Sequence, residues 1–399
     1  MTGGLIGPER RLGTRRVELL YGVAVVIVYV AAAGLALHVT HPAPNRMMVL
    51  AERLVQGHLD SPSFAGTVDS VARGGRYYVA VGVLQVLPYL PFVYLPALRA
   101  VSGYAASLAF GIPAAWLALP LARAYGARGR AATWIAIFTA YGTLLFFVSV
   151  LGSLYYLAQA EAFLFLELAL LEWAGPRRPT VLGALFGLAF LARPTTVLAV
   201  VPVGLVLAWS ARHRLRAILQ LALPLAVAAV VSGAFNWARF GSPLETGYGI
   251  SLLTDPALEA RRAAGLFSLG QVPENVRLAL LQGFGLQPSF PYLTVDPSGL
   301  SMLLVSPALV TSLWAGARAP RARLLWAAAI LVAVPIFLYY GGGYAQYGFR
   351  YSLDFTPFLV ALMALGSRRW LGPPERALIL LSIASVTFGV LWAAHVLPG

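Results

Sequence analysis

Five acids and four arginines stand out because so little else in the chain is charged. Asp60 and Asp69 lie in a stretch that also holds Arg73, Gly74, Gly75 and Arg76. Glu245 and Asp255 follow Arg239, and Asp296 and Arg350 come later. Carboxylates mixed with guanidiniums suit a site where an acid deprotonates a hydroxyl while cations hold a phosphate leaving group. A general base must reach the proton it takes. Guanidinium stays charged and matches phosphate oxygens two at a time.

The elements that would position these residues are membrane helices. The chain has 399 residues, and 59% are hydrophobic but only 11% charged, against about 25% charged in a soluble domain. Apolar runs near the length needed to cross a bilayer recur throughout, which predicts an all-α polytopic integral membrane protein in a single transmembrane domain over 1–399. The net charge of +14 does not point to nucleic acid, because basic residues flanking spans are the usual topology signal. Every one of the 29 basic side chains is Arg, and cysteine is absent, which excludes disulfides, thiolate metal sites and a cysteine nucleophile. The basic start, GPERRLGTRR, reads as the cytoplasmic flank of a retained first helix rather than a signal peptide.

Spans are expected at 18–38, 103–122, 131–150, 153–174, 179–192, 195–211, 214–236, 300–317, 322–340, 354–367 and 375–396, about eleven in all. Segment 77–99 is apolar enough to cross, but Pro88, Pro91 and Pro96 interrupt it. If it does not cross, Arg123, Arg128, Arg130, Arg177, Arg178, Arg212, Arg214, Arg216, Arg318, Arg321, Arg323, Arg368, Arg369 and Arg376 share one side with the N-terminus. That side is then cytoplasmic. Three outer segments follow: 39–102, 237–299 and 341–353. Asn45 to Gln56 reads as an amphipathic helix lying in the membrane interface, and further short helices are expected near Asp255–Ala264 and after Pro273.

Several stretches resemble the GT-C superfamily of polytopic glycosyltransferases, which includes protein O-mannosyltransferases and aminoarabinose transferases. They are VDSVARGGRYYVAVGVLQVLPYLPFVYL (68–95), LGALFGLAFLARPTTVLAVVP (182–202), FNWARFGSPLETGYG (235–249), GLSMLLVSPALV (299–310) and GGGYAQYGFRYSLDFTPFL (341–359). The resemblance implies a GT-C-like bundle in the plasma membrane of a bacterium, with outer loops carrying membrane-parallel helices. It implies a polyprenyl-phosphate-linked sugar as donor, a lipid or glycan acceptor, membrane lipids as surroundings, and inverting transfer at the extracytoplasmic face. In the family the catalytic acid follows the first helix closely. Here HVTHPAPNR holds no acid there, and the nearest pattern is Asp69 followed by Gly75-Arg76-Tyr77-Tyr78, with Asp60 as its rival.

Each residue also has a structural reading. Asp69 is either the base or an acid paired with Arg73, and Asp60 is either the base or part of a turn. Arg350 either grips the lipid phosphate, with Tyr347 and Tyr351 lining the pocket, or sits at the interface with Asp354 as its partner. Arg193 alone falls within an apolar region, so it contacts phosphate or pairs with Glu161 or Glu167. Glu161 takes a metal or acceptor role or is a core acid. Arg73, Arg76, Tyr77 and Arg239 complete the set expected to bind substrate. The five histidines show no zinc spacing, and a divalent cation (Mg or Mn) held by Asp and phosphate is the one cofactor left open. Two further classes compete with the transferase: a transporter or lipid flippase, and a non-catalytic scaffold subunit of the same fold.

Overall fold

The structure is a computed structural model that describes residues 8–40, 45–367 and 371–396. Arg368, Arg369 and His41 lie outside them. The protein is predominantly helical. Among the described residues, five helices are long and apolar enough to cross a membrane, and six spans result if one bent pair counts as one. The long helices are α1 (Pro8–Thr40), α4 (Ser102–Ala124), α7 (Leu154–Ala174), α10 (Arg214–Phe240), α14 (Pro320–Leu338) and α16 (Pro373–Ala393). Before α4 come the short α2 (Arg46–Val55), the hairpin β1 (Ser70–Arg73) and β2 (Arg76–Val79), and α3 (Leu90–Val93). Shorter bundle helices are α5 (Arg130–Tyr141), α6 (Leu144–Val150), α8 (Pro179–Ala192), α9 (Val200–Ser210) and α15 (Thr356–Gly366). The connections carry α11 (Pro256–Ala263), α12 (Val272–Val276), the two-residue strands β3 (Gly285–Leu286) and β4 (Leu293–Thr294), and α13 (Met302–Val305).

Several expected spans are broken, each for a visible reason. The 131–150 run bends by 45° between α5 and α6 at Gly142. Pro194 opens a 3₁₀ turn ahead of α9, and Pro307 begins a second one after α13. Proline supplies no N–H to continue a helix. Segment 77–99 contains only one apolar helical piece, Leu84–Val93. Its six residues of 3₁₀ turn and the four of α3 rise about 18 Å, well short of a hydrocarbon core about 30 Å thick.

Small residues set how closely the helices approach. Gly183 and Gly187 of α8 lie against Leu221, Pro224 and Ala228 of α10, so those two helices run parallel. Gly103 and Gly152 place the starts of α4 and α7 together, and the Tyr125 hydroxyl donates to the Leu170 carbonyl near their ends. The bundle therefore has two distinct ends. At one, Tyr125 lies within the field of Arg321 and Arg177, Arg178 pairs with Glu172, and Arg123 pairs with Glu18. The other end carries the hairpin and the loops that follow α10 and α14.

The amphipathic stretch forms α2, with the Asn45 side chain accepting from the Met47 N–H. Its apolar face does not turn to lipid. Met47, Met48, Leu50 and Ala51 are buried in a cluster with Phe64, Val86, Tyr89 and Leu157. The expected short helices near Asp255 and after Pro273 are α11, capped by the Asp255 side chain, and α12.

Candidate functional site

Asp69 stands directly before β1 with φ of 61°. That left-handed conformation is one that Asp and Asn adopt more readily than most residues. The surrounding backbone holds it there. The Asp69 N–H donates to Leu252 O at 2.9 Å, the Ala80 N–H to Asp69 O at 3.1 Å, and the Leu252 N–H to Ser70 O at 2.7 Å. The loop after α10 is thus stitched to the hairpin. Arg46, the first residue of α2, donates to Val68 O at 2.5 Å and to Thr67 Oγ1 at 3.3 Å. The base of the hairpin is held from both sides.

The Asp69 carboxylate lies near the Tyr155 hydroxyl and in the field of Arg46, Arg350 and Arg262. Burial raises its proton affinity above the ordinary aspartate range, and the hydroxyl and the three guanidiniums oppose that rise. Arg262, on α11, donates to Ser251 O at 2.6 Å and Tyr248 O at 3.4 Å. Arg350 Nη1 donates to Tyr155 O at 3.1 Å. Its Nε is buried and has no hydrogen-bond partner. The Arg350 guanidinium lies 5.3 Å from the centre of the Tyr351 ring and 5.5 Å from that of Tyr156.

Arg193 reaches the same place from the break after α8. It pairs with Asp354 rather than with Glu161 or Glu167, with Nη2 at 3.1 Å from Oδ2. Thr195 Oγ1 donates to the same oxygen at 2.8 Å. Asp354 is fully buried and is not the partner of Arg350. The Tyr351 ring sits under both guanidiniums, 4.7 Å from Arg193. Tyr248 completes the group: burial pushes its hydroxyl up to about 12, against the pull of Arg193 and Arg350, so it is a neutral hydrogen-bonding group near neutral pH.

The other residues singled out in the sequence lie apart from this cluster. Asp60 is half-buried, and its carbonyl accepts from Arg53 Nε at 2.9 Å. Arg73 and Arg76 face each other across the exposed hairpin tip, where Gly74 and Gly75 take positive φ, so Arg73 is not the partner of Asp69. Tyr77 pairs with Ala72 in the hairpin and packs against the α2 cluster. Arg239 is buried, with Nη1 donating to Val79 O at 2.8 Å and Nη2 to Asn236 Oδ1 at 3.0 Å, which ties α10 to β2. Tyr347 stacks on Phe147 and meets Ser385 Oγ at 3.0 Å inside the core. Glu161 lies fully buried within α7, and neither of its carboxylate oxygens has a hydrogen-bond partner; the same holds for Glu167.

A divalent cation finds poor ligands at Asp69. Both oxygens of Asp354 are engaged by Arg193, and Oδ2 also by Thr195. Asp69 faces three guanidiniums that would repel a metal ion. Among the described residues no group of three or more His, Cys, Asp or Glu is placed to hold a metal. What the arrangement can do is take a proton at Asp69 and hold an anion beside it. Four guanidiniums, those of Arg46, Arg193, Arg262 and Arg350, face two carboxylates. Sequence reasoning missed Arg46, Arg262, Tyr155 and Tyr248. Arg46 and Arg262 look like the polar faces of surface helices, and the tyrosines look like interfacial aromatics. Comparison of the chain with protein-family models, with curated proteins and with solved structures gives no match in any of the three.

Proposed function

We propose that this protein is a membrane glycosyltransferase that moves a sugar from a polyprenyl-phosphate donor to an acceptor hydroxyl, with Asp69 as the base. The observation that carries the reading is the convergence on one partly buried carboxylate of three guanidiniums from distant parts of the chain, one of which keeps a buried and unpartnered Nε. The GT-C resemblance in the sequence supports the same chemistry. The reading keeps about eleven crossings, of which five or six are helices long enough to cross by themselves among the described residues. The reading assigns the arginine-rich short connections opposite Asp69 to the cytoplasm and the site to the extracytoplasmic face of a bacterial plasma membrane, and the arginine bias supports that orientation.

The step balances without a strong general acid. The acceptor oxygen bonds to the anomeric carbon as its proton passes to Asp69, and the bond from that carbon to the phosphate oxygen breaks. The donor phosphodiester carries one negative charge and the departing phosphate monoester two. One negative charge therefore shifts from Asp69 to the phosphate, and preorganised guanidiniums stabilise charge where it develops. Arg350 takes this role, because its Nε has a free donor.

A second reading rests on a different observation. Buried, unpartnered acids such as Glu161 and Glu167 mark proton pathways in transporters. One experiment separates the two: the protein is reconstituted in vesicles and supplied with radiolabelled polyprenyl-phosphate sugars and candidate acceptors. Release of polyprenyl phosphate that stops in Asp69→Asn, with donor still bound, supports the transferase. Absence of turnover together with proton-coupled solute uptake that stops in Glu161→Gln supports the transporter.

A further inference from the structure

The run from Gly283 to Val295 carries no charge and holds the small hairpin of β3 and β4. Both of its ends are fixed in the core. The Phe284 ring lies 5.8 Å from that of Phe388 and 6.4 Å from that of Tyr347, and Val295 is buried. Between these two anchors the chain leaves the protein body. Leu286 is 86% exposed, and Phe290 and Tyr292 are each 59% exposed. The turn is closed on itself. The Gln287 N–H donates to Tyr292 O at 3.2 Å and the Tyr292 N–H to Ser289 O at 2.7 Å. The Phe290 and Tyr292 rings meet edge to face at 6.2 Å, so each ring covers part of the other and little else does.

The root of the hairpin fixes its level. Phe388 belongs to α16, a helix long and apolar enough to cross a membrane by itself. Most of the apolar stretch of α16 is not buried by the protein, so the helix stands at the edge of the bundle with lipid on its free side. Phe388 lies five residues before the last residue of α16, Ala393, about 8 Å inward along the axis. The hairpin therefore rises from beside the last turns of a span and not from above it. This end of α16 is also the end that carries the candidate site, because Tyr347 stands three residues before Arg350.

We propose that the hairpin is a membrane-interface anchor, with Leu286, Phe290 and Tyr292 seated at the boundary between headgroups and acyl chains beside α16. Aromatic side chains favour that layer, and apolar groups there are withdrawn from water. Gln287, Ser289 and Thr294 leave polar groups at headgroup level. An open strand edge is not tolerated in the hydrocarbon interior, which limits the hairpin to the boundary. The hairpin offers no charge to specify a protein partner, whereas lipid already lies beside its root.

The chain contains no cysteine, so a single introduced one can be labelled without background. Leu286→Cys, Phe290→Cys and Tyr292→Cys, each carrying an environment-sensitive fluorophore, are prepared as full chains in phosphatidylcholine nanodiscs. Arg76→Cys, at the exposed tip of the other hairpin, is the comparison. The labels at 286, 290 and 292 are expected to emit at shorter wavelength than the label at 76. They lose most of their emission to lipids bearing a nitroxide high on the acyl chain, and they are shielded from iodide in the water. Iodide quenching equal to that at 76, with no effect of the nitroxide lipid, puts the hairpin in water and overturns the proposal. Shielding from both quenchers, with disulfide crosslinking between Phe290→Cys copies, assigns the face to a second copy of the chain and overturns it too. The three positions are exposed and separate, so a label that disturbs one leaves the other two to decide. None of the readouts involves turnover, so the result is independent of the transferase reading.

Discussion

Arg193 and Asp354 meet across 161 residues of sequence, with Arg193 Nε at 3.2 and 3.1 Å from the two carboxylate oxygens and Nη2 at 3.1 Å from Oδ2. The pair joins the break after α8 to the segment that leads into α15. Asp354 is fully buried, whereas the Arg193 side chain is 19% exposed, so the cost of breaking the pair falls mainly on the carboxylate side.

Asp354→Ala is expected to destabilise the protein by about 3–5 kcal/mol, because it leaves the guanidinium without its partner. Thr195→Ala removes one hydrogen bond to the same carboxylate and is expected to cost less, about 1–3 kcal/mol. Replacing both charged residues together, Arg193→Met with Asp354→Leu, recovers most of the loss. Thermal unfolding in detergent orders the three; equal losses in the single and double replacements would count against the pair.

The proton affinity of Asp69 gives stability a pH signature. Its carboxyl in the folded protein binds a proton more tightly than in the unfolded chain, so the stability tied to protonation is present below the unfolded value and lost as pH rises through the folded one. Asp69→Asn keeps a side chain that tolerates left-handed backbone and never ionises. It should unfold at higher temperature than the wild type near neutral pH, with the gap closing as the medium is acidified. A gap that widens on acidification would reverse the assigned sign.

Turnover has a matching dependence. A base works when deprotonated, so the rate falls as pH drops through the Asp69 value, which lies above the ordinary aspartate range. Asp60→Asn leaves this limb in place, since Asp60 stands outside the cluster. Polyprenyl phosphate release across a pH series reads the effect directly, and loss of the limb in Asp60→Asn would move the base there.

Arg350→Gln is expected to lower the rate on the order of 10²–10³-fold, the effect of removing one preorganised donor from developing charge. Arg350→Lys restores part of it, because the charge returns without the paired geometry. Substitution of Arg73 or Arg76, both exposed at the hairpin tip, is expected to change the rate little. Equal losses at Arg350 and Arg76 would place the phosphate elsewhere.

Gly183→Val tests the frame that carries Arg193. A Cβ at that position meets the backbone of Leu221, so α8 and α10 must separate. The overpacking cost is about 1–3 kcal/mol. Crosslinking between cysteines introduced on the two helices reports the separation.

Much of this architecture was legible in the sequence, and the limits are physical. Charge is so scarce that Asp69, Arg193 and Arg350 stand out from their surroundings. Pro194 marked the break between 179–192 and 195–211, whereas the span expected at 300–317 ran unbroken through Pro307, where a 3₁₀ turn begins. Which carboxylate answers which arginine was not legible. Asp354 lies one turn from Arg350 and looked like its partner, yet it bonds to Arg193 because the break after α8 delivers that side chain from across the bundle. Arg46 sits on an amphipathic helix whose apolar face packs on protein instead of lipid, and only that packing turns Arg46 toward Tyr155. Tyr347 looked like a lining residue and is instead stacked on Phe147 in the core.

The hairpin that carries Asp69 is made well ahead of Arg350, with most of the helical bundle synthesised between them. Until that late segment enters the bilayer, the Tyr155 carbonyl lacks the guanidinium it holds in the finished protein, and Arg193 lacks its counter-ion. A chain interrupted between the hairpin and Arg350 would carry the carboxylate without the arginine beside it. Under the transferase reading, the acid therefore gains its phosphate-binding arginine only once that later segment has been threaded into the membrane.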